Sequence, residues 1–547
     1  MNVSEYISHQ AEMQPGKKAI VELKKGSFFN IKSSSKVQSA CSFDELEKKI
    51  NIACQAFIKA SLKKGDKVLV FIPPSIELIS TTFALFKMGA IPIFIDPGMG
   101  KENLLDCVKS VDADALIGIS KIFYLKKMSS KFFDSLRVSI CTDSSLWGDY
   151  SFEKIKKDVL NSFEVVDQKE SDLAAILFTS GATGLPKGVE YTMGMFCNQV
   201  IKLKEIFSIN STDVDYAGYP LFSLFTLCMG ASTYIPSAID PKKPAKTSAQ
   251  QLVKELKESR VTFATGAPSI WKKLAEYCEK KKIVLDDLKA LVMFGAPVSG
   301  NLMRGLKKVM PHGQIYTPYG ATESLPVSII NSNMILGETF EQTELGRGVC
   351  VGYPVRDVNV QIIPLIEEEV STLKSLENYE PGEICVSSPM TSKAYHLYDQ
   401  NSLSKIYVKK DSWHRMGDVG YMDEWGKLWY LGRKKHMIHF KNKNFFSVCV
   451  EGIFNSHPKI ANSALIKISE MPAVAVILKK KVKFMSAHEQ GELQKKLSIF
   501  AQRFEETREI KKIVFVDEFP LDTRHNIKID RIKLSEELDA ASNLLDS

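Results

Sequence analysis

Apolar residues recur at helical spacing from Phe43 to Leu62, and the next run, Lys67–Ile72, is short, apolar and stopped by Pro73 and Pro74. An amphipathic stretch followed by such a run predicts a helix packed on a buried strand. The pairing repeats. Ile76–Met88 is helical in pattern, Ala90–Ile95 reads as a strand, and Asp96-Pro97-Gly98 is turn chemistry. Ala113–Ile119, Leu173–Phe178, Thr262–Ala264, Ala290–Phe294 and Gln314–Tyr316 continue the series. Alternating units of this kind predict an α/β body built on parallel sheet with helices on both faces.

After about Gly348 the texture changes to short strands broken by turns: Val358–Ile363, Gly382–Ser387, Trp413–Met416, and Val419–Met422 with Lys427–Leu431 around the loop Asp423–Gly426. This predicts a small antiparallel, barrel-like subdomain over about 348–432. Glu367–Tyr379 is charged and polar and reads as a surface loop. A boundary falls near Gly432–Lys435, where a basic cluster follows a completed hairpin. The remainder, 433–547, has the size and mixed pattern of a small α+β domain.

Composition narrows the class. The 547 residues are 44% apolar and 25% charged, which fits a globular protein of several folding units. The net charge of +8 is mild at this length, and Leu478–Lys483, the one basic run, reads as a solvated strand edge. A nucleic-acid partner is therefore not expected. Ten scattered cysteines without a C-x-x-C pair read as core thiols in a reducing compartment. No signal segment is visible at the N-terminus, so the expected location is the cytoplasm. Tyr216–Ile239 carries no charge over 24 residues, but Pro220, Pro236, Gly218 and Gly230 argue against a spanning helix and for the wall of an apolar pocket.

The chemistry concentrates in Leu177–Gly188. Three glycines, the hydroxyls of Thr179, Ser180 and Thr183, and Lys187 follow a strand. Glycines let backbone N–H groups approach an anion, and the hydroxyls and ammonium add donors, as a triphosphate requires. The spacing excludes the P-loop, which needs Gly-Lys-Ser/Thr after four residues. A helix is expected to begin near Thr192.

This segment resembles the phosphate loop of adenylate-forming enzymes, the superfamily of acyl-CoA synthetases, luciferases and adenylation domains. Further motifs follow in order: Tyr319-Gly320-Ala321-Thr322-Glu323, Trp413–Asp418, Gly432-Arg433 and Lys528. The resemblance implies a large AMP-binding domain (1–432) and a small mobile domain (433–547) that rotates about a hinge at Lys435. It implies ATP and Mg²⁺ as cofactors. Thr179, Ser180, Gly181, Thr183, Gly184 and Lys187 would hold the β- and γ-phosphates, Thr322 the α-phosphate and Glu323 the Mg²⁺. Tyr319 and Gly320, with the turn Gly295-Ala296-Pro297, would flank adenine. Asp418 and Arg433 would bind ribose, and Lys528 would bridge the α-phosphate and the attacking carboxylate.

Departures from the family narrow the substrate. Ser223 stands where many acyl-CoA synthetases have His, within an acyl-pocket segment that includes Phe222 and Phe225. His439–Asn444 replaces the paired glycines that line the pantetheine path in thioester-forming relatives, which makes a CoA step doubtful. Several strings, among them Asp96–Gly100, Ile239–Ala245 and Phe519–Lys528, are similar to the β-lactone synthetases of olefin pathways. That resemblance implies adenylation of a long-chain 2-alkyl-3-hydroxy acid, attack by its own 3-hydroxyl, and possible association with other enzymes of the same lipid pathway. The alternatives are a long-chain fatty-acid CoA ligase or acyl-AMP ligase, and a nucleotide-binding scaffold without turnover. His525 is either a base for the 3-hydroxyl or a loop-shaping residue. His436 and His439 lack a third ligand for zinc.

Overall fold

The computed structural model describes residues 1–23, 37–179, 186–240, 247–408, 411–521 and 529–546. Two large sheets carry the body. In the seven-stranded sheet the order is Tyr150–Ser151, Val138–Cys141, Ala115–Gly118, Lys67–Phe71, Ile91–Phe94, Leu173–Thr179 and Lys187–Thr192. Its neighbours are parallel except the last pair, which is antiparallel. The strands expected at 67, 90, 113 and 173 are these. Each is buried on both faces and reads as a continuous apolar run for that reason.

The fourteen-stranded sheet has a parallel centre running from Gln314–Ala321 through Ala290–Met293, Phe263–Gly266, Val214–Ala217 and Ser232–Ile235 to Lys18–Leu23. Its other end is antiparallel: Ser324–Asn331, Val349–Pro354, Leu428–Arg433, Asp411–Met422, Gly382–Ser387 and Asn359–Ile363. The β-rich region is thus joined edge-on to the large sheet, through Ser328↔Pro354 and Ile329↔Tyr353. The two strands expected at Trp413 and Val419 form one element, Asp411–Met422, whose pairing shifts register at Val419/Gly420. A bulge of this kind bends a strand without ending it.

The uncharged segment folds as a strand (Val214–Ala217), a short helix (Ser223–Cys228) and a second strand (Ser232–Ile235), largely buried. At Gly218 an added Cβ would lie 2.0 Å from the Thr265 carbonyl oxygen, so the turn out of the first strand admits only glycine. Among the described residues no helix is long and apolar enough to cross a membrane. All ten cysteines are buried with free thiols.

Beyond Arg433, a hairpin (Ile438–Phe440 and Lys443–Phe445) leads to the helix Ser447–Ser456. A three-stranded sheet, Ile460–Ile468, Met471–Leu478 and Lys512–Phe515, follows with helices Ala487–Ala501 and Arg531–Asp546. This part has its own apolar core around Phe445, Phe454, Val474 and Leu497. Helix Ser447–Ser456 lies close against the body: a Cβ at Gly452 would come 2.4 Å from the Thr343 carbonyl oxygen. Just before the boundary, Glu383 receives Arg415 at 2.7 Å and Lys434 at 3.2 Å, all three largely buried. Lys479, Lys480 and Lys481 are exposed, but they follow the end of the central strand of this sheet, so the basic run is a solvated turn and not the strand edge expected.

Candidate active site

Thr179 and Lys187 are cross-strand partners. The strands that flank the expected phosphate loop are therefore antiparallel neighbours, and the second, Lys187–Thr192, intervenes before the helix Met193–Phe207. The helix does begin where expected, with the Thr192 hydroxyl accepting from the Met195 N–H at 3.3 Å. The intervening strand went unread because its glycine and lysine belong equally to a loop, yet Val189 and Tyr191 alternate inward. Ser180, Gly181, Thr183 and Gly184 lie outside the described residues, as do Lys528 and His525.

On its outer side that strand meets residues 394–396: Val189 bridges Tyr395, Glu190 N–H donates to Ala394, and His396 N–H donates to Gly188. The same segment reaches the other sheet, where Thr391 bridges Ser324 and their hydroxyls lie 2.9 Å apart. A strap of residues 391–396 thus joins the phosphate hairpin to the turn at Thr322 and Glu323. The Tyr395 hydroxyl donates to Glu323 Oε1 at 2.6 Å, and the Ser392 N–H to the Glu323 carbonyl at 2.7 Å. The Thr322 carbonyl accepts from the Tyr191 hydroxyl at 2.6 Å. Gly320 permits this turn, since a Cβ there would stand 2.5 Å from the Ser324 carbonyl oxygen.

Lys187 Nζ lies 4.7 Å from the centre of the Tyr395 ring and 3.3 Å from the Ser404 hydroxyl. Burial pushes its ammonium below the usual range, against the pull of Glu323. Burial, reinforced by Glu323, holds the Tyr395 phenol protonated. Sequence reasoning missed three groups here. Lys405, buried and pushed down to about 7 by desolvation, lies 5.3 Å from the same ring. His414, buried and held neutral by desolvation and then by Lys405, sets Nδ1 at 3.1 Å from the Ser404 carbonyl oxygen. Tyr395 itself is the third. No local pattern marks a lone lysine or tyrosine on a short strand or strap.

The two residues expected at ribose, Asp418 and Arg433, are brought together. Asp418 and Arg433 are cross-strand partners with Oδ1 and the guanidinium 3.1 Å apart. Asp418 raises the Arg433 pKa further, and Arg433 also donates to the Met416 carbonyl at 3.1 Å. The Tyr319 hydroxyl donates to Asp418 Oδ2 at 2.7 Å, and its ring lies 5.9 Å from that of Tyr430. Gly295, with φ of 92°, turns the chain after strand Ala290–Met293; Ala296 and Pro297 follow on the surface side. The preceding Phe294 carbonyl accepts from Tyr219 at 3.2 Å.

Phe222 and Phe225, expected in an acyl pocket, sit in an aromatic tract. Phe222 stacks on Phe263 at 6.0 Å and meets Phe294 at 5.5 Å and Phe225 at 5.8 Å, and Phe225 reaches Phe196 at 6.2 Å. The Ser223 hydroxyl is turned onto the Pro220 carbonyl. Lys435 lies in the short turn Lys434–His436 that leaves the body.

The hairpin strands around Thr179 and Lys187, the buried Glu323, the Asp418–Arg433 pair and the aromatic tract carry the residues that the motifs of an adenylate-forming ligase call for. The AMP-binding enzyme family model matches residues 7–396, and the chain belongs to this family. It is 31% identical over 509 residues to an olefin β-lactone synthetase of Xanthomonas campestris pv. campestris, covering 90% of each chain. Against the olefin β-lactone synthetase of Stenotrophomonas maltophilia it is 30% identical, covering 86% of each. The fold superposes on an o-succinylbenzoate CoA synthetase of Bacillus subtilis, solved with ATP and magnesium, with a TM-score of 0.73 and 18% identity, covering 97% of this chain and 98% of that one. The protein is an AMP-forming ligase that uses ATP.

Proposed function

We propose that this ligase activates a long-chain 2-alkyl-3-hydroxy acid and closes it to a β-lactone, in the cytoplasm. The observation that carries the reading is its 31% identity to an olefin β-lactone synthetase in an alignment that spans 90% of both chains. Two local features support it. Lys441 and Asn442, with φ of 48° and 60°, form the turn where thioester-forming relatives have glycines, and the Ser223 hydroxyl faces its own backbone. The aromatic tract behind Phe222 suits an apolar chain.

In the first step a carboxylate oxygen of the acid attacks the α-phosphorus of ATP and pyrophosphate leaves. Lys187 and the loop residues Thr179, Ser180, Gly181, Thr183 and Gly184 meet the β- and γ-phosphates. Thr322 donates to the α-phosphate, and Lys528 offsets charge between it and the attacking carboxylate. Asp418 takes the ribose hydroxyls, held in place by Arg433 and Tyr319. Tyr319, Gly320 and the Gly295-Ala296-Pro297 turn flank adenine.

Among the described residues no group of three or more His, Cys, Asp or Glu could hold a metal alone. One carboxylate suits Mg²⁺ that arrives on phosphates, and Glu323 is that carboxylate. When bound, Mg²⁺ would neutralise phosphate charge.

In the second step the 3-hydroxyl oxygen attacks the acyl carbon, its proton passes to a base or water, and AMP departs. The nucleophile is already tethered, so closure gains from proximity and needs no second substrate. Between the steps the small domain, 433–547, turns about Lys435.

Enzyme, MgATP and a 3-hydroxy fatty acid, followed by NMR with and without CoA, tests this. A four-membered lactone that forms equally without CoA is expected. AMP release without lactone, or a thioester that appears only with CoA, refutes it in favour of a CoA ligase.

A further inference from the structure

Lys405 has no part in the assignments above, yet its side chain is buried at their centre. Its Nζ donates to the Ser392 carbonyl and lies over one face of Tyr395. Those two residues are the ones that hold Glu323, by the Ser392 N–H and the Tyr395 hydroxyl. The backbone closes the same circuit: Asn401 accepts from the Tyr395 N–H at 2.8 Å through its side chain and from the Lys405 N–H at 2.8 Å through its carbonyl. Lys187 approaches the same ring and reaches Ser404, the neighbour of Lys405.

A buried ammonium satisfied by a carbonyl and a ring face is costly to desolvate. An uncharged side chain could brace the strap at lower cost. What an amine adds is a proton that anionic neighbours draw onto it, Glu323 already and the phosphates that Lys187 must meet once they arrive, so its positive potential is greatest when the nucleotide is bound.

We propose that Lys405 is a positioning residue for the triphosphate end of adenylation, clamping the Ser392–Tyr395 strap onto Glu323 and placing beside Lys187 a second amino group that carries positive charge when the phosphates are bound. The inference rests on the reading of Glu323 and Lys187 as the triphosphate end and is independent of the lactone step.

ATP and AMP separate this role from a merely structural one, because AMP lacks the β- and γ-phosphates. Full-length Lys405→Met and Lys405→Arg are titrated with each nucleotide by displacement of a fluorescent ATP analogue, over a range of Mg²⁺ concentrations. Lys405→Met is expected to weaken ATP by about 10–100-fold, the effect of losing a charged contact, and AMP by no more than about twofold. Lys405→Arg should bring ATP back to within about fivefold of the wild type. Tyr395→Phe, which cuts the circuit at Glu323 without touching the buried ammonium, should show the same ATP-selective loss and keeps the test open if Lys405→Met misfolds. Equal weakening of ATP and AMP, or a lowered Tm with an unchanged ratio of the two affinities, overturns the proposal. Wild-type protein that binds AMP but gains nothing from the added phosphates would instead overturn the triphosphate reading beneath it.

Discussion

Replacing Asp215 by Asn should stabilise the protein above neutral pH and leave it unchanged near pH 4. Asp215 is fully buried on strand Val214–Ala217, between Thr233 and Phe263 in the pairing of the sheet. Its Oδ2 accepts from the Thr226 hydroxyl at 2.7 Å, which ties the strand to the helix Ser223–Cys228 of the acyl segment. Desolvation pushes the carboxyl from its ordinary 3.8 up to about 7, with Thr226 opposing. Because the folded pKa is raised, the contribution to stability is complete below 3.8 and is lost as pH rises through about 7. In that window the unfolded chain has released its proton and the folded chain has kept it. At about 1.4 kcal/mol per pH unit the interval amounts to about 4 kcal/mol, an upper figure because water and small shifts relieve part of the cost. Asn keeps the acceptor for Thr226 and has no proton to lose. Urea denaturation of both proteins at intervals from pH 4 to pH 8 reads the difference. The gap should open from near zero at pH 4 and level off above about pH 7. A gap that does not change with pH, or a variant less stable at pH 8, would show that Asp215 is ionised and needed as a carboxylate.

Asp418→Asn removes the charge partner of Arg433 and should raise the KM for ATP by about 10–100-fold, measured by pyrophosphate exchange, and also lower Tm, since the guanidinium loses its carboxylate; an unchanged KM would remove Asp418 from nucleotide binding. Lys528→Ala should lower the exchange rate by ~10²–10³ in a folded protein, and an unchanged rate would remove that lysine from the chemistry. Gly218→Ala forces a Cβ onto the Thr265 carbonyl and should cost about 3 kcal/mol or more in urea denaturation; a neutral effect would mean that the two strands can part at this point.

The parallel strands could be read from the chain because burial on both faces leaves an apolar run that proline or glycine visibly ends. The motifs around Lys187, Glu323 and Asp418 stood out in the chain because glycines, hydroxyls, a lysine and acids fall there in the order that the AMP-binding enzyme family carries them. Other features have no such local mark. Strand Lys18–Leu23 gains its place by pairing with Ser232–Ile235, more than 200 residues away. Tyr395 and Lys405 become site residues through a strap that links two sheets, and nothing within ten positions of either implies a partner at 187 or 323. Asp215 stands one position before the uncharged segment, and its pKa depends on a row of neighbours that only the sheet brings together.

The trio Arg415, Glu383 and Lys434 bears on how the small domain can turn. Lys434 is bolted by a buried carboxylate to strands of the body, while Lys435 is the next residue along. A clamp with one jaw fixed sets the axis of whatever swings from it. In the rotation proposed about Lys435, torque would fall on the outgoing chain and spare strand Leu428–Arg433, because the Glu383–Lys434 pair stands between them. On the proposed reading a single residue, Lys434, would insulate the nucleotide grip from the swing, so that the face presented to the adenylate could change while the sugar stayed held.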